Sequence, residues 1–288
     1  MPELPEVETV VRGLQMLLPG RRIAEVRLGK TDFIDDPAKL EEILPGSRIS
    51  TVSRHGKFIV LLLEKPVSAE TAPNSPVTRF HFIVHLGMTG QLTVFPPLRP
   101  APPHTHVWIS LDSDTELRFT DPRRFGRMLV LPEEQSASVL GPLGIDPLEV
   151  TAEEFQARLA AKRARIKAVL LDQRVLRGMG NIYTDESLWR ARIHPARLAS
   201  SLKREESARL YRAMQQVLRA AIRLGGSSIS DYVNAEGQPG EFQIRHRVYQ
   251  REGKKCSRCG ALIRRIIVAG RSSYFCPRCQ RAPRQRQK

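Results

Sequence analysis

The sequence predicts an α+β protein of several domains: an antiparallel β-sandwich or barrel first, helices behind it, and a metal-binding ribbon last. Three observations carry this. Eight short apolar runs bounded by turn residues crowd residues 22–131. After Pro132 the apolar spacing changes to a helical period. All four cysteines fall within the last 33 residues, as two Cys-x-x-Cys pairs. At 288 residues the chain also exceeds one typical domain.

In chain order, Val7, Val10, Val11, Leu14 and Leu17 share one face of a helix over residues 5–18. Pro5 suits its first position, and Glu6 and Glu8 suit the positive end of its dipole. Strand-like runs follow at 22–28, 49–53, 58–63, 80–86, 91–95, 106–111, 116–120 and 127–131. Residues 65–78, with three prolines, read as a long hairpin loop, and 96–103, with five, as another. Thr151-Ala-Glu-Glu154 is a capping box opening a helix. Residues 166–173 and 182–192 read as helices around a turn containing Gly178, Met179, Gly180 and Asn181. A longer helix over 202–224 stops at Gly225-Gly226. Residues 227–240 read as a mobile polar loop, 261–274 as a β-hairpin with Gly270 near its turn, and 281–288 as a disordered basic tail.

Charge narrows the partner. Lys and Arg number 46 against 30 Asp and Glu, a net +16, which favours a polyanion. Residues 245–288 hold 14 basic residues and one acid, Glu252. A solvated face explains any one run, but an excess concentrated in one segment points to nucleic acid. The first residues carry acids and lack a signal-type apolar core, and no run approaches about 18 apolar residues. No membrane partner is expected, and the location expected is the cytoplasm.

Cys256-Ser-Arg-Cys259 and Cys276-Pro-Arg-Cys279 form C-x₂-C-x₁₆-C-x₂-C. Each pair can put two thiolates on one tight turn, and two turns close a tetrahedron around one Zn²⁺. No further ligand is evident, so the zinc is structural. Two disulfides are the competing use, disfavoured because a secreted framework is not otherwise indicated. A ribbon alone names no function.

The start of the chain carries chemistry. If Met1 is removed, Pro2 becomes a secondary amine beside the Glu3 carboxylate. An α-amino group titrates near about 7.7–8.0, so part of it is nucleophilic at neutral pH. Attack on a sugar C1′ or a carbonyl carbon gives a covalent imine. The same residues also suit a plain helix start.

Both ends together resemble one family. Pro2-Glu-Leu-Pro-Glu-Val-Glu-Thr-Val10, His85-Leu-Gly-Met-Thr-Gly90, Thr120-Asp-Pro-Arg-Arg-Phe-Gly126, Gly178-Met-Gly-Asn-Ile-Tyr183 and Arg271-Ser-Ser-Tyr-Phe-Cys276 occur in the order found in bacterial formamidopyrimidine-DNA glycosylases. These remove oxidised purines such as 8-oxoguanine from DNA. The related endonuclease VIII, which prefers oxidised pyrimidines, typically begins Pro-Glu-Gly-Pro-Glu, and Leu4 favours the purine branch. The departures are extra length around residues 65–78 and the extended tail.

The resemblance implies a β-sandwich catalytic domain over 1–131, a linker over 132–150, a helical domain with a helix–two-turn–helix over 151–240, a zinc-ribbon finger over 241–280 and a basic tail over 281–288. It implies a cytoplasmic monomer acting on double-stranded DNA that contains a damaged base, nucleoid-associated when bound, with DNA between the domains and the target nucleotide flipped out. Pro2 would attack C1′, and Glu3 would protonate the sugar ring oxygen. Lys57 would assist β-elimination, and Arg271 would grip the phosphate for δ-elimination. Met88, Arg123 and Phe125 would fill the gap left by the flipped base, though Met88 and Phe125 also fit a core. His104, Arg124, Lys162 and Asn181 would contact phosphates, and Asn181 also fits the cap of the helix that follows it. Asp185 and Glu186 read as structural. His85, His106 and Glu6 read as orienting residues.

Two other functions stay open at this level. One is a glycosylase with the pyrimidine preference. The other is a non-catalytic zinc-ribbon DNA-binding protein, which does not need the Pro-Glu start or the long body before the ribbon.

Overall fold

Glu3 caps the first helix, α1 (Leu4–Leu17), through a reciprocal capping box: its side chain accepts the Glu6 amide, and the Glu6 carboxylate accepts the Glu3 amide at 2.8 Å. The helix therefore starts one residue before Pro5, which occupies its second position, where a missing N–H leaves no bond unmade. The computed structural model describes residues 1–67 and 76–282. It comprises two compact units, Met1–Pro142 with Leu224–Glu241, and Leu143–Arg223 with Phe242–Lys288.

In the first unit the apolar runs become β1 (Ile23–Leu28), β2 (Arg48–His55), β3 (Phe58–Pro66), β4 (Val77–His85), β5 (Gln91–Phe95), β6 (Thr105–Leu111), β7 (Glu116–Thr120) and β8 (Arg127–Pro132). They pair antiparallel in two sheets, β1-β6-β7-β5 and β2-β3-β4-β8. Val107, Ile109, Leu117 and Phe119 from the first sheet share one core with Ile59, Leu61, Phe82 and Val84 from the second and with Val7, Val10 and Leu14 of α1. Each such side chain contributes about 1.5–3 kcal/mol on burial, so the sandwich and its N-terminal helix stand or fall together.

Between residues 22 and 142 the structure differs from the sequence reading at three places. A short helix, α2 (Pro37–Ile43), lies between β1 and β2; its signal was Asp36-Pro37, where Asp36 accepts the Lys39 amide at 3.0 Å and Pro37 takes the first position. The 65–78 loop is shorter than read, because Lys65 pairs with Thr78 and Pro66 with Val77; residues 68–75 lie outside the described residues. The stretch after β8 contains a 3₁₀ turn, Glu133–Gln135, and α3 (Ala137–Leu140), whose Val139 and Leu140 cover Val60, Ile83 and Leu129. Burial on both faces explains why β3 reads as a continuous apolar run rather than an alternating one.

The second unit holds α4 (Ala152–Ala160), α5 (Ile166–Leu171), α6 (Asn181–Ala191) and α7 (Arg204–Arg223). Thr151 and Glu154 form the expected capping box. Leu210, Met214, Val217 and Leu218 line the buried face of α7, which packs on α6. Strands β9 (Arg264–Val268) and β10 (Arg271–Phe275) form a hairpin closed by Ala269 and Gly270, at φ 52° and 70°. Two successive positive φ values mark a type I′ turn. Of the tail read as disordered, residues 283–288 lie outside the described residues. Among the described residues no helix is long and apolar enough to cross a membrane.

Candidate functional site

The N-terminal cluster belongs to the first unit. Pro2 and Glu3 are buried, and Met1 ahead of them is half exposed. Glu6 is the organiser: one carboxylate oxygen takes the Glu3 amide, and the other takes the Ser227 amide at 2.7 Å. The Tyr232 hydroxyl donates to the Glu6 carbonyl at 3.2 Å. The polar loop after α7 is thereby tied to the first turn of α1. Its neck is closed by Glu241 N to Leu224 O at 2.8 Å and Gly240 N to Ser228 Oγ at 2.9 Å. Gly240 is obligatory there, because a Cβ would stand 2.3 Å from the Gly225 carbonyl oxygen. Further along, Val94 donates to Ala235 O at 2.9 Å. The mobile loop read over 227–240 is thus a pinned one, held by long-range bonds that no local pattern announces.

Lys57 sits in the turn between β2 and β3 and is buried. Arg54 fixes that turn to α1, donating to Glu8 Oε2 at 2.7 Å and to the Gly56 carbonyl at 3.2 Å. Burial, with the charges of Lys57 and Arg127 added, holds the His85 imidazole down at about 4. Its Nδ1 accepts the Gly87 amide at 3.1 Å. His85 is therefore a neutral structural acceptor at neutral pH.

Met88 and Phe125 are 40% and 55% exposed, which removes both from the core. The Arg123 guanidinium lies 4.5 Å from the Phe125 ring centroid. Sequence reasoning assigned no role to the group that assembles them, Asp121, which is fully buried. Its Oδ1 accepts the Thr89 hydroxyl and the Arg123 amide, and its Oδ2 accepts the Gly126 amide at 2.9 Å. The Met88 turn and the Arg123–Phe125 turn are held by one carboxylate. Gly87 lets them touch, since a Cβ there would lie 2.3 Å from the Phe125 carbonyl. Asp121 N also donates to the His104 carbonyl at 3.0 Å. His104 and Arg124 are exposed and take left-handed φ values of 65° and 52°, unusual for side chains with a Cβ and typical of functional turns. Arg124 pairs with Asp32 at 2.9 Å, an exposed contact that a phosphate can replace at little loss.

In the second unit Lys162 is exposed just beyond α4. Asn181 is the first residue of α6, not its cap; Gly180 holds the cap position, and the Asn181 amide donates to the Ser272 carbonyl at 3.0 Å. Lys167 and Asp185, both buried, pair at 2.8 Å. Lys167 also reaches Ser272 O at 2.7 Å, and Asp185 Oδ2 accepts the Tyr274 amide at 2.9 Å. Burial raises the Asp185 carboxyl, with the Lys167 ammonium pulling the other way. Three side chains of α5 and α6 thus converge on the backbone of β10, which begins with exposed Arg271. Glu186 is structural as well: its Oε1 accepts the amides of Arg247, Val248 and Tyr249, each at 2.9 Å.

The Sγ atoms of Cys256, Cys259, Cys276 and Cys279 lie within 4.8 Å of one another. Cys259 and Cys276 are 3.4 Å apart, and Cys256 and Cys279 4.0 Å. A tetrahedron with Zn–S near 2.3 Å has edges of about 3.8 Å, between the two. The donor set and its dimensions fit zinc, and Trp189, Val248 and Ile263 pack around it.

A paired-sheet body with Pro2-Glu3 behind its first residue, a unit holding helices α4 to α7 and a four-cysteine hairpin make up the architecture of a DNA-lesion glycosylase. The family model for the formamidopyrimidine-DNA glycosylase N-terminal domain matches residues 1–128, that for its H2TH domain 143–233, and that for the zinc finger found in FPG and IleRS 253–282. The chain is 45% identical to a formamidopyrimidine-DNA glycosylase of Solibacter usitatus, covering 98% of this chain and 100% of that one. It is 43% identical to that of Herpetosiphon aurantiacus, covering 97% and 100%. A solved complex of Lactococcus lactis Fpg with DNA containing an abasic site superposes with a TM-score of 0.86 at 33% identity, over 97% of this chain and 100% of the other. MutM in complex with DNA containing carbocyclic 8-oxo-G gives 0.85 at 33%, over 98% and 100%. This chain belongs to the formamidopyrimidine-DNA glycosylase family, and its four cysteines form a structural zinc site.

Proposed function

We propose that this protein excises oxidised purines from double-stranded DNA as a combined glycosylase and abasic-site lyase. The observation that carries the reading is the buried Pro2-Glu3 start, fixed through the Glu6 carboxylate to both the first turn of α1 and the Ser227 loop. With Met1 removed, the Pro2 nitrogen attacks C1′ and the bond from C1′ to the base breaks. Glu3 gives its proton to the ring oxygen as the sugar opens, leaving an iminium. That cation acidifies the C2′ hydrogen; its loss expels the 3′ phosphate, and a second proton loss expels the 5′ phosphate. Lys57 and Arg271 hold phosphates during these eliminations. Met88, Arg123 and Phe125 occupy the space of the flipped nucleotide, and His104, Arg124, Lys162 and Asn181 bind flanking phosphates. The zinc supplies no reactive position, because four thiolates complete its tetrahedron. It acts as a monomer in the cytoplasm, associated with the nucleoid when bound to DNA.

Borohydride present during reaction with an 8-oxoguanine duplex should reduce the iminium and trap a protein–DNA adduct on the N-terminal peptide, with intact mass showing loss of Met1. An adduct mapping to Lys57 overturns the assignment.

A further inference from the structure

The second unit carries a basic hollow that none of these roles uses. It measures about 650 Å³ and lies at the C-terminal end of α6, lined by Arg190, Arg209, Arg212, Arg247 and Arg258 with Trp189 behind them. Among the described residues no Asp or Glu lines it. Asn181 stands at the other end of the same helix, eight residues from Trp189, about 12 Å along the axis.

Three of the guanidiniums are held in place. Arg258 stacks on the Trp189 ring at 4.2 Å and donates to the Trp189 carbonyl at 3.1 Å. Arg209 donates through Nε to the Ala191 carbonyl at 2.7 Å. Arg190 donates through Nε to Gln216 at 2.7 Å. The negative end of the α6 dipole makes this crowding of cations tolerable. Capping of carbonyls accounts for Arg209 and Arg258 but not for Arg212, which is exposed and forms no ion pair or hydrogen bond among the described residues. Glu206 and Glu186 act on Arg209 and Arg247 electrostatically, yet neither lines this first hollow. Arg258 also lines an adjoining hollow of about 530 Å³ together with Arg192, Arg278 and Arg281; Glu206 lines it too, with its carboxylate already paired to Arg197. Two hollows sharing one arginine make a track rather than a point.

We infer that this track is a second, lesion-independent binding site for the phosphodiester backbone of nucleic acid. Arginine forks with their Nε anchored present planar donors that match phosphate oxygens. Successive hollows suit a chain of phosphates better than a single anion. A protein partner normally brings an apolar interface core, whereas nucleic-acid interfaces are polar and strongly positive; the lining here is polar and its one large aromatic is covered by Arg258.

The test is titration of the zinc-loaded protein with an undamaged duplex of about 30 base pairs over a range of KCl. Each phosphate contact contributes about 0.9 to the slope of log K against log salt. Arg190→Gln with Arg212→Gln should make that slope shallower by about 2, leave turnover of saturating 8-oxoguanine duplex unchanged, and be restored by Lys at both positions. Arg212→Glu alone repeats the measurement without disturbing the Gln216 bond. An unchanged slope in a variant with wild-type melting temperature overturns the inference. So does loss of polyglutamate binding with the DNA slope intact, which would assign the track to an acidic protein segment.

Discussion

Glu6 Oε1 accepts the Ser227 amide at 2.7 Å, joining residues 221 positions apart at the base of the N-terminal cluster. The same carboxylate accepts the Glu3 amide. Glu6→Gln replaces one acceptor oxygen by a side-chain amide NH2 that faces an N–H donor, so one buried backbone amide loses its partner. Stability should fall by about 1–3 kcal/mol in urea unfolding. Excision of 8-oxoguanine should fall more than binding of an abasic-site duplex. Equal losses in the two assays would argue that Glu6 serves folding alone.

Phe125 is more than half exposed, so removing its ring opens no internal cavity. Phe125→Ala should shift stability by no more than about 0.5 kcal/mol, as surface changes do, against about 3–5 kcal/mol for a core phenylalanine. It should slow excision from duplex DNA while sparing a lesion in a single strand, where unstacking is cheap. Thermal melting and excision rates on the same preparation separate a wedge from a packing role.

Lys167 is fully buried and pairs with Asp185 beneath β10. Lys167→Met strands the carboxylate and should destabilise the second unit by about 3–5 kcal/mol. Lys167→Met with Asp185→Asn should recover much of that stability. DNA affinity should stay lowered in both, because the Ser272 carbonyl next to Arg271 keeps only its Asn181 donor. Recovery of affinity along with stability would show that the anchor does not position Arg271.

Zinc removal should act on binding. Structural zinc contributes about 10–16 kcal/mol of apparent binding energy in small fingers, so a four-thiolate hairpin is expected to lose its order without it. Chelation or Cys256→Ser should abolish protection of the β9–β10 amides in hydrogen exchange and weaken DNA binding. Full activity in a metal-free protein would be incompatible with this role.

The His85 imidazole is depressed to about 4 by burial first and then by Lys57 and Arg127, against an unfolded value near 6.5. The unfolded chain therefore binds the proton more readily. Stability from this group is complete above about pH 6.5 and is lost as pH falls toward 4, about 3 kcal/mol in all. His246 is depressed to about 4 by burial and Arg251 and adds in the same direction. His85→Gln should flatten the acid limb of unfolding free energy against pH; an unaltered limb would place the loss elsewhere.

What the sequence determined by itself was periodic or strictly spaced. The eight strands, the α1 and α7 faces, the Thr151 box and the cysteine tetrad rest on interactions between residues close in the chain, or on a metal that imposes its own geometry. The Pro2-Glu3 start could be singled out because an N-terminal amine is a property of position, while its burial is a finding of the structure. Tertiary structure decided the rest. The loop at 227–240 is pinned only because Glu6 and β5 meet it from far up the chain. Asp121 matters because its buried carboxylate takes three donors from two turns that lie far apart in the chain. Asn181 leaves the cap because Ser272 offers it a carbonyl. The arginine track draws on α6, α7 and the first cysteine turn, and side-chain convergence of that kind leaves no period in the sequence.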